Sequence, residues 1–320
     1  MFKTRVTEML GIEYPIIAGT LGYLSFSGLV SAVANAGGLC CLPSVYFDTK
    51  EALREEIRKT RSLTDKPFGV NINLFPTARP VSNDDYIDVC IEEGIKIIET
   101  SGRSPAPHID KIKKAGITLM HKCARVRDAK SVERAGVDLV EIVGTECGGH
   151  PSMENVGTLI LVPQAVDTVS IPVIGGGGFA DARGFVACMA LGAEGVLMGT
   201  RFMITKECLL HNNYRQAFMD AGETSTEIIQ RSIGNPSRVL RTKLAEEVIE
   251  AEKQGADLEK LMPLIRGERS RAAMDIGDVD SSIIACGEVV GLIHNVPTVQ
   301  EVFDSIIEGA KEIYKKLNPS

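Results

Sequence analysis

A pattern that recurs eight times constrains the fold of this chain more than any other feature. Each unit begins with a short, continuously apolar, β-branched run and continues with a stretch of helical periodicity. Successive runs begin 21 to 32 residues apart, which leaves room for the helical crossover that parallel strands require. The predicted strands are Pro15–Gly19, Gly38–Ser44, Phe68–Phe75, Ile95–Gly102, Thr118–Cys123, Leu139–Glu146, Ile171–Gly178 and Gly195–Phe202.

The continuous apolar character of these runs is typical of strands that helices cover. Eight such units fit a closed barrel better than an open sheet, which usually has five or six strands. We therefore predict an α/β fold of the (β/α)8 (TIM) barrel type. A large Rossmann-like open sheet is the alternative.

The strand pattern stops after Phe202. Residues 207–281 are predicted to be helices interrupted by glycines, and an amphipathic helix closes the chain. These features predict a barrel made of residues 1–206 and 282–320, with residues 207–281 inserted as a helical lid near the C-terminus. A plain helical appendage is the alternative.

Composition and charge exclude several classes of function. The chain has 320 residues, 44% of them hydrophobic and 24% charged, as in an ordinary globular protein. A net charge of −7 without a basic cluster argues against a nucleic-acid partner. The chain contains neither a signal-peptide pattern nor an apolar run long enough to cross a membrane. We expect a cytoplasmic protein with a small-molecule substrate and no membrane partner. Whether it forms a homodimer is left open.

The eight cysteines form no pattern typical of a metal or disulfide site. None are spaced as a CxxC pair, and most lie in apolar runs, where free cysteine behaves as a small buried hydrophobe. We therefore predict no metal site and a reducing compartment.

The ends of strands 7 and 8 predict a phosphate site. Strand 7 ends in Gly175–Gly178, whose main-chain N–H groups can converge on an anion because no Cβ intervenes. Asp181 fits the N-cap of the next helix, and Met198–Arg201 adds further main-chain donors and the Thr200 hydroxyl. The loops after strands 7 and 8 are the usual phosphate site of such barrels.

Other strand ends carry side chains suited to catalysis. His150 follows strand 6, where an imidazole can remove a proton from a carbon acid, or can simply tie down the loop. Cys147 is a competing nucleophile. Lys122 ends strand 5 and could stabilise negative charge or form a Schiff base. Asn71 and Asn73 share one face of strand 3 and could contact a ligand or hold loops.

Taken together, these motifs resemble the nitronate monooxygenase family. The resemblance rests on PII-x-G at strand 1, FGVNINL at strand 3, HKC at strand 5, ECGGHP at strand 6, GGGFAD at strand 7 and LGAEGVLMGTRF at strand 8. This family, formerly called 2-nitropropane dioxygenases, includes NAD(P)H:quinone reductases and is related to flavin-dependent enoyl-ACP reductases. The resemblance implies FMN as cofactor.

The resemblance also implies roles for individual residues. His150 would be the catalytic base or polar substrate anchor, and Lys122 would lie near the N1–C2 edge of the flavin. The remaining cofactor-binding residues implied are Thr20, Leu21, Gly22, Asn73, Gly148, Gly177, Gly178, Gly199 and Thr200. The chain departs from the family at Thr20–Leu21, Cys147 and Ala285–Gly287, all expected on the substrate side of the flavin.

Three functions remain open from the sequence. The first is an FMN oxidoreductase reduced by a visiting NADH or NADPH, or by a nitronate, and reoxidised by oxygen, a quinone or an activated alkene, the last as in an enoyl reductase. The second is a flavin-free lyase that acts on a phosphorylated substrate and uses Lys122 as a Schiff base. The third is a non-enzymatic FMN-binding regulator.

Overall fold

A computed structural model of the chain describes residues 2–75 and 81–318. Eight parallel strands form a closed barrel in which each strand pairs with the next along the chain and β8 pairs with β1. The barrel strands are β1 Ile16–Ala18, β2 Leu39–Pro43, β3 Gly69–Asn73, β4 Ile97–Ser101, β5 Thr118–Cys123, β6 Leu139–Val143, β7 Val173–Gly176 and β8 Gly195–Met198. Each lies within its predicted run, so the TIM-barrel prediction is confirmed.

The helices alternate with the strands and begin mostly at residues that cap their first turn. Thr49, Ser82 and Asp181 each accept hydrogen bonds from main-chain N–H groups of the helix that follows. The helices are α1 Arg5–Leu10, α2 Ser27–Asn35, α3 Lys50–Leu63, α4 Asn83–Glu92, α5 Ala106–Lys114, α6 Val126–Ala135, α7 Thr158–Val166, α8 Ala182–Ala190, α9 Thr200–Met203, α10 Asn212–Met219, α11 Lys243–Lys253, α12 Leu258–Ile265, α13 Gly267–Ile276 and α14 Val299–Leu317.

The apolar interior explains why the barrel closes. Val6 and Leu10 of α1 join Ile17, Leu39 and Met120 in one buried cluster inside the barrel. A second, larger cluster fills the space between the strands and the surrounding helices. Burial on both faces accounts for the uninterrupted apolar runs of the strands.

Residues 207–281 form an excursion between the end of the barrel and its last helix. The excursion contains helices α10 to α13, as predicted, but also two antiparallel strands, β9 Thr226–Ile229 and β10 Ser237–Leu240. The expectation that no strand follows Phe202 is therefore wrong. Four-residue strands are too short for their periodicity to stand out in the sequence.

The excursion has an apolar cluster of its own, which includes Ile229 and Val239 of the hairpin and Val248 of α11. After the excursion, α14 packs against α8 and α2 and so completes the ring of barrel helices. The division into a barrel of residues 1–206 and 282–320 and a lid of residues 207–281 stays a prediction. Within residues 2–75 and 81–318, no helix combines the length and apolarity that a membrane span demands.

Candidate active site

A cavity of about 1250 Å³ opens at the C-terminal ends of the barrel strands. The excursion borders it through residues such as Gln230, Met262 and Arg266. Every residue predicted for the site lines this cavity: Thr20, Leu21, Gly22, Asn73, Lys122, Gly148, His150, Gly177, Gly178, Gly199 and Thr200. The structure thus brings the predicted residues together, while their individual roles remain predictions.

The side formed by the ends of β7 and β8, called here the glycine wall, consists of Gly177, Gly178, Gly199 and Thr200. Gly177 and Gly178 have φ values of +102° and +78°, a region that residues with a Cβ rarely adopt. A Cβ on Gly177 would lie 2.7 Å from Thr158 Oγ1. Within the described part of the chain, the N–H groups of Gly177 and Gly178 donate to no protein acceptor. They are available to an anion.

Two neighbours shape the glycine wall. Asp181 caps α8 as predicted, accepting from the N–H groups of Arg183 at 2.9 Å and Gly184 at 3.2 Å. These two donors of the helix are therefore occupied, and the loop amides remain the available donors. The Thr200 hydroxyl accepts from the N–H of Gly287 at 3.0 Å, which leaves its own proton free to reach a ligand.

A group that we call the charged cluster lies on the consecutive strands β4, β5 and β6 and consists of Glu99, Lys122 and Glu141. Lys122 Nζ lies 2.9 Å from Glu99 Oε1 and 3.5 Å from Glu141 Oε2. Both carboxylates are fully buried, and Lys122 retains 25% side-chain exposure. Lys122 and Glu141 are paired in register on β5 and β6, which points their side chains to the same face.

Each member of the charged cluster has a distinct environment. Glu99 also accepts hydrogen bonds from Asn71 Nδ2 at 2.6 Å and from Thr20 Oγ1 at 3.2 Å. Although burial disfavours its charge, the carboxylates of Glu99 and Glu141 raise the pKa of Lys122 above its usual value. A Schiff-base lysine needs a lowered pKa, so the geometry disfavours the lyase.

His150 lies in the cavity, where its imidazole stacks at a tilt on Phe75 with ring centres 5.6 Å apart. Surrounding protein atoms desolvate His150 and lower its pKa, but the residue is solvent-exposed in the open cavity, which limits that desolvation. A lowered pKa leaves the imidazole neutral near pH 7, the form that accepts a proton. The base role predicted for His150 is therefore chemically available to it.

Cys147 does not have the environment of a reactive nucleophile, the alternative role predicted for it. Burial raises the pKa of the Cys147 thiol to about 12, so the reactive thiolate is scarce at neutral pH. The side chain packs against the apolar cluster of the barrel interior. Cys147 is better explained as a packing residue.

The loop that carries His150 is fixed by the excursion, an arrangement that sequence reasoning missed. Arg238 of β10 exchanges two main-chain hydrogen bonds with Gly149, of 2.6 and 3.0 Å. Its side chain donates to the Thr145 carbonyl at 3.0 Å and pairs with Glu288 at 3.0 Å. Nothing in the sequence around Arg238 distinguishes it from other charged residues of the excursion.

Glycine is required at Gly148 for a separate reason. A Cβ there would approach the main chain of Cys286 and Gly287 to 2.9 and 2.8 Å. The returning segment before α14 therefore packs directly on the His150 loop. Asn73 has a structural contact as well, since its side-chain oxygen accepts from the N–H of Phe75 at 2.9 Å. Among the described residues, no cluster of side chains suited to a metal ion occurs.

Comparison with known proteins places this architecture in a family. The model of the nitronate monooxygenase family matches residues 3–309. A probable nitronate monooxygenase from Staphylococcus aureus (strain N315) is 31% identical, with 97% of this chain and 98% of that protein aligned. A carboxyl-CoA dehydrogenase from Rhodococcus jostii (strain RHA1) is also 31% identical, with 96% of each chain aligned.

Solved structures agree with the fold. FabK from Thermotoga maritima superposes with a TM-score of 0.91 and 36% identity, over 99% of each chain. A nitroalkane oxidase from Streptomyces ansochromogenes superposes with a TM-score of 0.83 at 24% identity, over 98% of this chain and 99% of that one. The second likeness bears on the fold alone.

Proposed function

Because this chain belongs to the nitronate monooxygenase family, we propose that its cavity binds FMN and that the enzyme oxidises NAD(P)H or a nitronate. Membership of the family identifies the chain as a flavin-dependent oxidoreductase. The finer assignments of flavin, electron donor and acceptor are the proposal. The electrons taken from the donor would pass on to oxygen, a quinone or an activated alkene.

One observation carries the proposal: the unoccupied N–H donors of Gly177 and Gly178 lie in the same cavity as His150 and Lys122. Unpaired main-chain donors at glycines with positive φ form a cradle suited to a phosphate group. Thr200 and the main chain at Gly199 extend this cradle. When bound there, FMN would supply the two-electron redox chemistry that amino-acid side chains lack.

The protein's own groups would then bind, orient and exchange protons. The neutral imidazole of His150 would take the proton from a carbon acid such as a nitroalkane, or hold the polar group of a nitronate. The main chain at Thr20, Leu21, Gly22 and Gly148 and the side chain of Asn73 would contact the flavin ring. Lys122 would bring a positive charge to the cavity, tempered by the carboxylates behind it.

A flavin-dependent enoyl reductase is a second candidate, favoured by the size and lining of the cavity. Its volume of about 1250 Å³ exceeds the roughly 300–1,000 Å³ of typical ligand pockets, which leaves space beside a flavin. Three exposed apolar side chains line the cavity, namely Phe75, Met153 and Met262. The similarity to FabK and to the carboxyl-CoA dehydrogenase, whose substrate is a CoA thioester, also favours an enoyl reductase.

An anaerobic reduction experiment tests both candidates. Protein loaded with FMN is mixed separately with NADH, NADPH and propionate 3-nitronate, and loss of the flavin absorbance is followed. We expect at least one donor to bleach the flavin, with colour restored by oxygen, a quinone or an enoyl thioester. Restoration by the enoyl thioester alone would favour the reductase. Failure of all three donors to reduce bound FMN would contradict the proposed function.

A further inference from the structure

Glu141 is a buried carboxyl group that the proposed chemistry does not use. Neither of its oxygens is exposed, and among the described residues neither has a hydrogen-bond partner closer than Lys122 Nζ, 3.5 Å from Oε2. Glu99, equally buried, accepts hydrogen bonds from Asn71, Thr20 and Lys122. A buried carboxylate without donors is costly, because nothing replaces the water that it lost.

The charges around Glu141 favour its protonated form. Burial first, and then the charge of Glu99, raise the pKa of Glu141 to about 8, against the opposing effect of Lys122. Two thiols also lie close enough to interact with its charge, Cys41 on β2 and Cys123 on β5. Burial raises the pKa of both thiols, so they stay neutral. The charge near Glu141 therefore depends on Glu99 and Lys122.

Lys122 connects Glu141 with the cavity. Its ammonium lies 3.5 Å from Glu141 Oε2, and its partly exposed side chain lines the cavity. A small movement of the ammonium would bring it within hydrogen-bond distance of Glu141. Because its raised pKa keeps Lys122 protonated, the ammonium can pass a proton to Glu141 only while it accepts another from the cavity.

We propose that Glu141 stores a proton, which it takes up through Lys122 when negative charge forms in the cavity and releases when that charge leaves. The charge would come from the proposed function, on which this inference rests. A two-electron reduction of FMN that adds one proton leaves one negative charge. Above pH about 8, where Glu141 is ionised, its carboxylate then combines with one proton from water to give the neutral acid. Reoxidation removes the charge and returns the proton.

Infrared titration of the flavin-free protein tests the storage site independently of the flavin. The expected signal comes from Glu141, whose buried carboxyl group has a raised pKa. We expect the carbonyl band of a carboxylic acid to vanish as the pH rises through about 8. Glu141→Gln should abolish this transition. Glu99→Gln, the matched control, should move it to lower pH, because Glu99 is the negative charge that opposes ionisation.

An absent transition in the wild type, or one that persists in Glu141→Gln, would overturn the storage site. Glu141→Met replaces Glu141→Gln if the amide variant folds poorly.

Redox titration of the FMN-loaded protein tests the coupling. Each proton bound in a two-electron reduction adds about 30 mV per pH unit to the slope of the midpoint potential. Above the Glu141 transition, the wild type should therefore show a steeper slope than Glu141→Gln by up to about this amount. Equal slopes would overturn the coupling. If FMN does not bind, the proposed function fails, whereas the infrared result still decides whether Glu141 stores a proton.

Discussion

The glycine wall and the charged cluster border the same cavity but use the chain in opposite ways. Gly177 and Gly178 offer main-chain donors because they lack side chains and adopt positive φ. Glu99, Lys122 and Glu141 place ionisable groups in the barrel interior, where their charges depend on one another. The glycine wall is therefore suited to holding a ligand, and the charged cluster to responding to its charge. Variants that affect only one side separate these tasks.

The largest effect is expected from Gly177→Asp. The side chain would collide with Thr158 and strain a residue with φ of +102°, and its charge would repel a phosphate. We expect the affinity for FMN to fall by about 100-fold or more, from the loss of charge-assisted hydrogen bonds. Equilibrium dialysis against FMN measures this loss.

Gly116→Asp provides the matched control. Gly116 also has positive φ, +68°, but a Cβ there would meet no atom within 4 Å. The control shares the charge and the backbone strain, yet it should bind FMN normally. Equal FMN affinity in the two variants would mean that the glycine wall contributes no more to FMN binding than another glycine with positive φ.

His150→Asn separates retention of the flavin from turnover. If His150 is the base, oxidation of a neutral nitroalkane should fall by about 10²–10⁴-fold while FMN content stays near normal. His108→Asn is the control, since His108 pairs with Asp84 on the barrel exterior. Steady-state kinetics and flavin absorbance give both quantities. An unchanged rate in His150→Asn would remove this residue from the proposed chemistry.

Lys122→Met tests the mutual dependence within the charged cluster. Removing one partner of a buried charge pair typically costs about 3–5 kcal/mol of folding free energy. Unfolding of the flavin-free variant in urea should show a loss of this size. Adding Glu99→Gln should recover part of it, because the variant then buries one carboxylate fewer. Additive losses in the double variant would mean that the two side chains act independently.

The smallest predicted effect is the pH dependence of stability conferred by Glu141. In the folded protein its pKa is about 8, whereas an unfolded glutamate ionises near pH ~4.3. The folded state binds the extra proton between these values, so stability is lost as the pH rises through this window. Glu141→Gln lacks this loss. Its stability relative to the wild type should rise by at least about 1.4 kcal/mol from low to high pH.

Urea unfolding at about pH 5 and about pH 9 measures this difference over most of the window of the linkage. A relative stability that does not change with pH would show that Glu141 ionises in the folded protein as it does in the unfolded chain.

The barrel could be predicted from the sequence because parallel strands that are covered by helices consist of continuous apolar runs. The cap at Asp181 was also readable, since capping depends on neighbours in the chain. The hairpin of β9 and β10 was not, because its strands are short and β10 is held by a bridge between Arg238 and the distant Gly149.

The sequence contains a signal for the charged cluster that our predictions did not use. Glu141 interrupts the otherwise apolar strand LVEIV, and Glu99 follows two isoleucines in the buried strand IIETS. Such carboxyl groups rarely stay buried without a partner. Their pairing with Lys122 could not be derived, because it depends on the register of three neighbouring strands. The predicted site residues share a cavity, whereas the role of each awaits experiment.

The most direct test of the account compares the affinities of the wild type for FMN and for riboflavin, which lacks the phosphate. Quenching of flavin fluorescence gives both dissociation constants. If the glycine wall holds the phosphate, FMN should bind about 100-fold more tightly or better, and the difference should collapse in Gly177→Asp. Equal affinities of the wild type for the two flavins would contradict the account.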